Sequence, residues 1–353
     1  MSVSAFDHPW LSALLGDEEI ARQFTIEAEL CAMLEFEVAL AMAEAELGFI
    51  PVDAAQAIAK TAMTFQPDLA ALSAGVARDG MVVPDWVRQL REAVGSPHGA
   101  HVHFGSTSQD VLDTSLVLRL RPVLEILSAR LNAFDSRLAR LASDHGAIAA
   151  MARTRMQRAL PITWADRIAA WRAPLARHQK RLQDLRPRLL VVQFGGPVGT
   201  LDKFGDKGPS MAAALASRLD LAVPAVAWHS ARDVLVEFAG WLSLVTGSLG
   251  KIGQDIALLA QNEVAEVTVT GAGQSSAMHP KQNPVLAETL VTLARFNATQ
   301  VAGMHQALVH EQERSGAAWT LEWMTLPPMV VATGAALARG LALLDALRIH
   351  DKH

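Results

Sequence analysis

The stretch Leu116-Val-Leu-Arg-Leu-Arg-Pro-Val-Leu-Glu-Ile-Leu-Ser-Ala-Arg-Leu-Asn-Ala-Phe-Asp-Ser-Arg-Leu-Ala-Arg-Leu141 sets the fold class. Its apolar positions Leu116, Leu120, Val123, Leu127, Leu131, Phe134, Leu138 and Leu141 step by threes and fours. That spacing lines one face of a single long helix, because successive side chains return to the same side every 3.6 residues or so. Pro122 lies inside it and predicts a local kink.

Working outward, the pattern repeats. Val245, Leu249, Ile252, Ile256 and Leu259 form a second stripe. Thr163 with Asp166 reads as a capping box opening a helix to about Arg188. Asn283 as N-cap with Pro284 at the first helical position opens another, to about Leu308. A last helix is expected from near Pro328 almost to the end. The fold class is therefore all-α, a long-helix bundle. So many alanine- and leucine-rich faces in one chain imply a homo-oligomer. The first hundred residues carry shorter, punctuated helices. Thr25 to Glu46 stops at Gly48 and Pro51, Asp53 caps the next, and Pro84 opens another. Gly95-Ser-Pro-His-Gly99 breaks the chain, so residues 1–100 are read as an N-terminal helical domain and 101–353 as a long-helix bundle domain.

Composition narrows the function. Of 353 residues, 51% are hydrophobic and 19% charged, which rules out a disordered chain. The net charge of −5 disfavours a nucleic-acid partner. Cys31 is the one cysteine, so no internal disulfide can form and a reducing, cytoplasmic setting is expected. No basic and apolar leader opens the sequence. The longest charge-free run, Trp323 to Ala338, is broken by two prolines and falls short of a span of about 20 residues, so no membrane association is expected.

Four polar segments interrupt the helices. His101 to Asp110, with Asp113 and Thr114, is a Gly/Ser/Thr loop entering a helix. It suits an anion at free backbone N–H groups, or simple capping by Thr107 or Ser108. Ala152 to Pro161 packs Arg153, Arg155 and Arg158 beside Thr154 and Gln157, which suits paired hydrogen bonds to carboxylates or a solvated basic turn. Thr268 to Pro284, holding Ser275, Ser276, Lys281 and Asn283, is a glycine-rich loop fit to cover an oxyanion. His310 to Trp319, then Glu322 and Trp323, reads as a connector or a packed turn. No metal-ligand spacing, P-loop or nucleophile elbow is present.

Together these segments resemble the fumarase/aspartase superfamily. Gly105-Ser-Thr-Ser-Gln-Asp-Val-Leu-Asp-Thr114 is similar to its first block. Arg153-Thr154-x-x-Gln157-x-Ala159-x-Pro161 is similar to its second. Ser275-Ser276-Ala-Met278-x-x-Lys281-x-Asn283-Pro284 is similar to its signature loop. The tail from His310 to Trp323 resembles the branch of lactone-forming cycloisomerases. That branch, like this chain, lacks the second-block histidine, and Arg155 stands in its place. Methionine rather than proline precedes the variable loop residue, and Gln282 replaces a common arginine. The sequence ends soon after the last expected bundle helix, so the C-terminal helical domain of many family members is expected to be missing.

The resemblance implies a bundle of the fumarase/aspartase type. It also implies a homotetramer whose active sites draw their three blocks from different subunits, a small polycarboxylate substrate, and no metal or organic cofactor. The chemistry is addition of a carboxylate to a carbon–carbon double bond, the reverse of β-elimination. It requires cations, placed donors and one acid or base. The candidates to hold substrate are Thr107, Ser108, Arg153, Thr154, Arg155, Gln157, Lys281, Asn283 and Arg314. Ser275, or else Ser276, is implied as the proton-transfer group. His103 and Glu263 are candidates for its partner. Glu263 falls at stripe spacing after Leu259, so a buried, arginine-paired carboxylate is expected there, while His103 reads equally as a satisfied core histidine.

Overall fold

The computed structural model describes residues 3–271, 273–274, 278 and 281–351. Two one-turn helices, α1 (Ser12–Leu15) and α2 (Glu18–Ala21), lead into α3 (Ile26–Glu46), α4 (Val52–Ala62), α5 (Leu69–Asp79) and α6 (Val83–Val94). Thr25 caps α3 by accepting from the Ala28 N–H. Pro51, rather than Asp53, is the N-cap of α4, because its extended backbone turns the chain into the helix.

The bundle follows. Helix α7 (Ser108–His145) carries the opening stripe, with Leu120, Val123, Leu127, Leu131, Phe134 and Leu138 all buried and Pro122 inside it. A hairpin of β1 (Ala149–Thr154) and β2 (Gln157–Thr163) leads into α8 (Trp164–Leu189). Thr163 and Asp166 cap α8 reciprocally, as the spacing predicts. After α9 (Gly208–Leu219) come α10 (Asp233–Leu259), the short strands β3 (Val267–Val269), β4 (Gly273–Gln274) and β5 (Gln282–Asn283), then α11 (Val285–Gln306), α12 (Gly316–Ala346) and β6 (Leu347–Ile349).

Two further expectations about helix starts are corrected. Helix α11 starts at Val285 with Pro284 as N-cap, because Asn283 is taken into a β-pairing with Gly273. Helix α12 starts at Gly316, well before Pro328, because the Ser315 hydroxyl caps it and Trp319, Glu322 and Leu326 are buried. Interior prolines each forgo a backbone N–H and are costly, so the burial of the surrounding α12 side chains must offset them. The tryptophan pair is accordingly a helical i,i+4 contact, ring centroids 4.7 Å apart, rather than a turn. Helix α12 is long and apolar enough to cross a bilayer, but 67% of its most apolar window is buried in the protein, as befits a core helix.

Close packing relies on small residues. A Cβ at Gly253 of α10 would stand 2.5 Å from the Ala287 carbonyl oxygen of α11, and one at Gly340 of α12 would stand 2.6 Å from the Phe134 ring of α7. The apolar core forms two clusters. One runs along α7, α8, α10, α11 and α12; the other joins α3–α6, the start of α7, α9 and Trp319.

Candidate active site

The polar segments collect at the two ends of the bundle. At the end where α7 begins, Asp110 is fully buried and organises the first block. Its carboxylate accepts from the Thr107, Gly195 and Gly196 N–H groups at 3.1, 3.0 and 2.9 Å, and its Oδ1 lies 2.8 Å from His229 Nε2. Four polar neighbours in a dry site fix both loops against α7. The glycines are needed. A Cβ at Gly105 would clash with Phe204, and one at Gly196 would stand 2.9 Å from the Gly105 carbonyl oxygen. The segment Gln193-Phe-Gly-Gly-Pro-Val-Gly199 was not among the sequence-derived candidates; its glycine density after a short apolar run was the available signal.

Arg314 closes this end. Its Nε donates to Gln109 Oε1 at 2.9 Å, Nη1 to the Thr107 hydroxyl at 3.3 Å and Nη2 to the Pro197 carbonyl at 3.1 Å. The structure thus joins Thr107 and Arg314, with Ser108 beside them as the first residue of α7. Below lies a buried ion cluster. Arg232 spans Asp113 (2.6 and 3.0 Å) and Glu322 (2.9 and 2.5 Å), and its guanidinium packs on the Trp228 ring at 4.8 Å. Burial opposes the charge on Arg232, but the two carboxylates outweigh it and hold the guanidinium above its ordinary value. Burial raises Glu322 in spite of Arg232. His310, with its side chain buried beside them, is lowered by burial and by Arg232, so it stays neutral.

His103 belongs to the same end. Its Nδ1 is 2.5 Å from Glu37 Oε1 and its backbone N–H donates to Glu37 Oε2 at 3.1 Å, with a left-handed φ of 63°. Two contacts to one buried carboxylate hold the half-buried ring in place.

The second block sits at the other end. Helix α7 has 38 residues, and at about 1.5 Å per residue it spans ~57 Å from Thr107 to the hairpin. The hairpin projects. Residues 154–161 are all exposed, including Met156 at 73% and Leu160 at 74%. Arg155 and Met156 form its tip with φ of 49° and 67°, in the left-handed region where Asn-Gly is the usual choice. Thr154, Arg155 and Gln157 therefore face away from their own core. Arg153 turns back, and its Nη1 lies 2.7 Å from Glu266 Oε1.

Glu263 is a correction. Helix α10 ends at Leu259, so the stripe spacing does not carry on, and Glu263 is exposed. Glu266, three residues on, is the carboxylate paired with arginines. The third block lies at the hairpin end, since β3 pairs with β6 and Asp345 at the end of α12 pairs with Arg137 late in α7. Asn283 is half-buried in its β-pairing, and Lys281 is exposed with its backbone N–H on the Met278 carbonyl. Ser275 and Ser276 lie outside the described residues. Among the described residues no group of three or more His, Cys, Asp or Glu is placed to hold a metal ion.

Residues 16–303 match the family model described as Lyase. The chain is 40% identical to the 3-carboxy-cis,cis-muconate cycloisomerase of Pseudomonas aeruginosa, over 92% of this chain and 72% of that protein. A solved structure of the 3-carboxy-cis,cis-muconate lactonizing enzyme from Pseudomonas putida superposes with a TM-score of 0.90 at 38% identity, covering 97% of this chain and 77% of that one. The N-acetyl-S-(2-succino)cysteine lyase of Enterococcus italicus is 35% identical over 92% of this chain and 72% of that protein. Three blocks in order, a long-helix bundle and these likenesses have one meaning: the chain belongs to the lyase family of the fumarase/aspartase superfamily.

Proposed function

We propose that this protein is an intramolecular lyase that converts 3-carboxy-cis,cis-muconate to a carboxymuconolactone in the breakdown of aromatic compounds. One observation carries the reading: the 40% identity with a cycloisomerase of that name across nearly the whole chain. In the reaction one carboxylate oxygen bonds to an alkene carbon of the same molecule. The alkene electrons move onto a conjugated carboxylate to give an aci-carboxylate, and a proton is then delivered to carbon. Nothing leaves, and no redox change occurs. Arg155 in place of a histidine suits a substrate with an extra carboxylate. Ser275 is the proton-transfer group in this reading. Arg153, Lys281 and Arg314 supply positive charge, and Thr107, Ser108, Thr154, Gln157 and Asn283 supply neutral hydrogen bonds.

The ~57 Å between the first and second blocks supports a site pooled from several chains, because a seven-carbon substrate cannot bridge that length. The exposed hairpin with its apolar Met156 and Leu160 has the character of an arm seated on a neighbour. A homotetramer with shared sites accounts for both.

The test is a lactonisation assay following loss of the conjugated-diene absorbance, with 3-carboxymuconate, 3-sulfomuconate and adenylosuccinate offered in parallel. Turnover of 3-carboxymuconate well above the other two is expected. Preference for the sulfonate would reassign the substrate. Adenylosuccinate cleavage, or no turnover of any of them, would overturn the reading.

A further inference from the structure

Behind the hairpin Arg153 of the second block meets two charged residues, Glu266 and Arg167, that no block of the family pattern includes. Glu266 Oε1 is 2.7 Å from Arg153 Nη1, and its Oε2 accepts from Arg167 Nη1 at 3.0 Å. Arg167 is itself fixed. Its Nη2 donates to the Met151 carbonyl at 3.0 Å, and its guanidinium lies over the Trp164 ring at 4.7 Å. The backbone of Glu266 is pinned from both sides, its N–H on the Leu259 carbonyl and its carbonyl accepting from the His350 N–H, each at 3.0 Å. Glu266 therefore stands on a rigid base between the end of α10 and the last strand, and all three charged side chains are largely buried.

Arg153 is the movable member. It sits where the β1–β2 register shifts between Met151 and Arg153, at the root of the projecting hairpin. Its Nη1 also donates to the Met151 carbonyl at 3.3 Å, and its Nε and Nη2 make no hydrogen bond to a described residue. One corner of the guanidinium is thus held while the rest keeps open donors. A long arginine side chain loses much rotamer freedom when ordered, so a partner that orders it beforehand tightens whatever it later binds.

We propose that Glu266 is a positioning residue for the reaction: with Arg167 as its anchor it aims Arg153 so that the open donors meet a substrate carboxylate. Arg167 matters because it supplies the second cation. Two arginines share one carboxylate, so the cluster keeps net positive charge and still attracts an anion. This inference rests on the polycarboxylate-binding role given to Arg153 above.

The test uses the full-length assembled protein and two readouts. One is steady-state turnover of 3-carboxymuconate. The other is calorimetric binding of tricarballylate, an unreactive tricarboxylate. Arg153→Ala, Glu266→Gln and the double variant are compared, with Glu266→Asp as the conservative variant. Size-exclusion elution and melting temperature report whether each assembles. Glu266→Gln is expected to raise KM about tenfold with kcat within about twofold, and to weaken tricarballylate to match. Its effect is expected to vanish in the Arg153→Ala background. Glu266→Asp, shorter by one methylene but still charged, should fall between the two.

If Arg153→Ala binds tricarballylate as wild type does, the role of Arg153 fails and this inference fails with it. If Arg153→Ala weakens binding but Glu266→Gln does not, only this inference fails. Tighter binding by Glu266→Gln would also overturn it, because Glu266 would then compete with the anion for Arg153. Should Glu266→Gln not assemble, Glu266→Asp decides alone, and wild-type KM and affinity there would overturn the proposal.

Discussion

Mixing two defective chains tests the shared site directly. Thr107→Val removes the first-block hydroxyl and keeps the shape of the side chain. Arg155→Ala removes the second-block guanidinium from an exposed tip where nothing in the fold leans on it. The two positions flank α7, whose 38 residues span ~57 Å, so no single chain can bring them to one small molecule. If each site takes its first block from one chain and its second from another, a site is intact only when the first comes from an Arg155→Ala chain and the second from a Thr107→Val chain. Random equal mixing gives that pairing in about a quarter of sites, so about 25% of wild-type activity should return after co-refolding. Each variant alone should stay near its own background. The assay is diene loss on the unmixed and co-refolded samples at matched protein concentration, with mixed assembly checked by two affinity tags. Activity that never exceeds the mean of the parents, in tagged mixed oligomers, would refute the reasoning.

Three further outcomes follow from the structure. Glu44 is buried with no hydrogen-bond partner for its carboxyl among the described residues, and burial, reinforced by Glu37, raises it to about 10. A pKa raised on folding means that stability falls as pH rises from about 4.5 toward 10. Glu44→Gln should therefore be the more stable chain by about 3 kcal/mol at pH 7, with an advantage growing by about 1.4 kcal/mol per pH unit, and melting temperatures of both chains that run parallel from pH 5 to 8 would contradict this. Arg232→Met leaves Asp113 and Glu322 facing each other in a dry site and should lose about 3–5 kcal/mol in chemical denaturation, a loss that Asp113→Leu and Glu322→Leu added together should largely restore. Arg155→Asn combined with Met156→Gly relieves two left-handed residues worth on the order of 1 kcal/mol each, so the melting temperature should rise while KM for 3-carboxymuconate rises at least about tenfold.

Periodicity revealed the bundle because α7, α8 and α10 bury continuous stripes, and the Thr163–Asp166 cap was legible from two residues. The end of α10 was not. Whether Glu263 or Glu266 faces the arginines depends on where the helix stops, and the turn after Leu259 contains neither glycine nor proline to mark it. The hairpin escaped for a similar reason. Arg155-Met156 is not a turn dipeptide by composition, so its left-handed tip left no signal in the sequence. The α12 start was missed because Pro327-Pro328 reads as a break, whereas the Ser315 cap and the buried Trp319 and Glu322 carry the helix through. Within the site, the cluster of Thr107 with Arg314 was visible as chemistry but not as contact, since 207 residues separate the two in sequence.

The two ends of the bundle differ in kind. At the first-block end Asp110 is surrounded by donors, Asp113 and Glu322 share Arg232, and Arg314 is spread over three acceptors, while the buried His310 ring makes no hydrogen bond among the described residues. Such a network resists deformation, because moving any one group strands several others in a dry site. At the hairpin end the tip is strained and exposed, and Arg153 keeps donors that no described residue takes up. A site assembled from both ends of different chains would thus set an adaptable cationic arm against a rigid wall of hydrogen-bond donors. Transition-state stabilisation needs the wall to be fixed beforehand, whereas capturing a polyanion needs an arm that can close on it. In the proposed shared site, the segregation of satisfied and open polar groups along α7 would divide those two tasks between the chains.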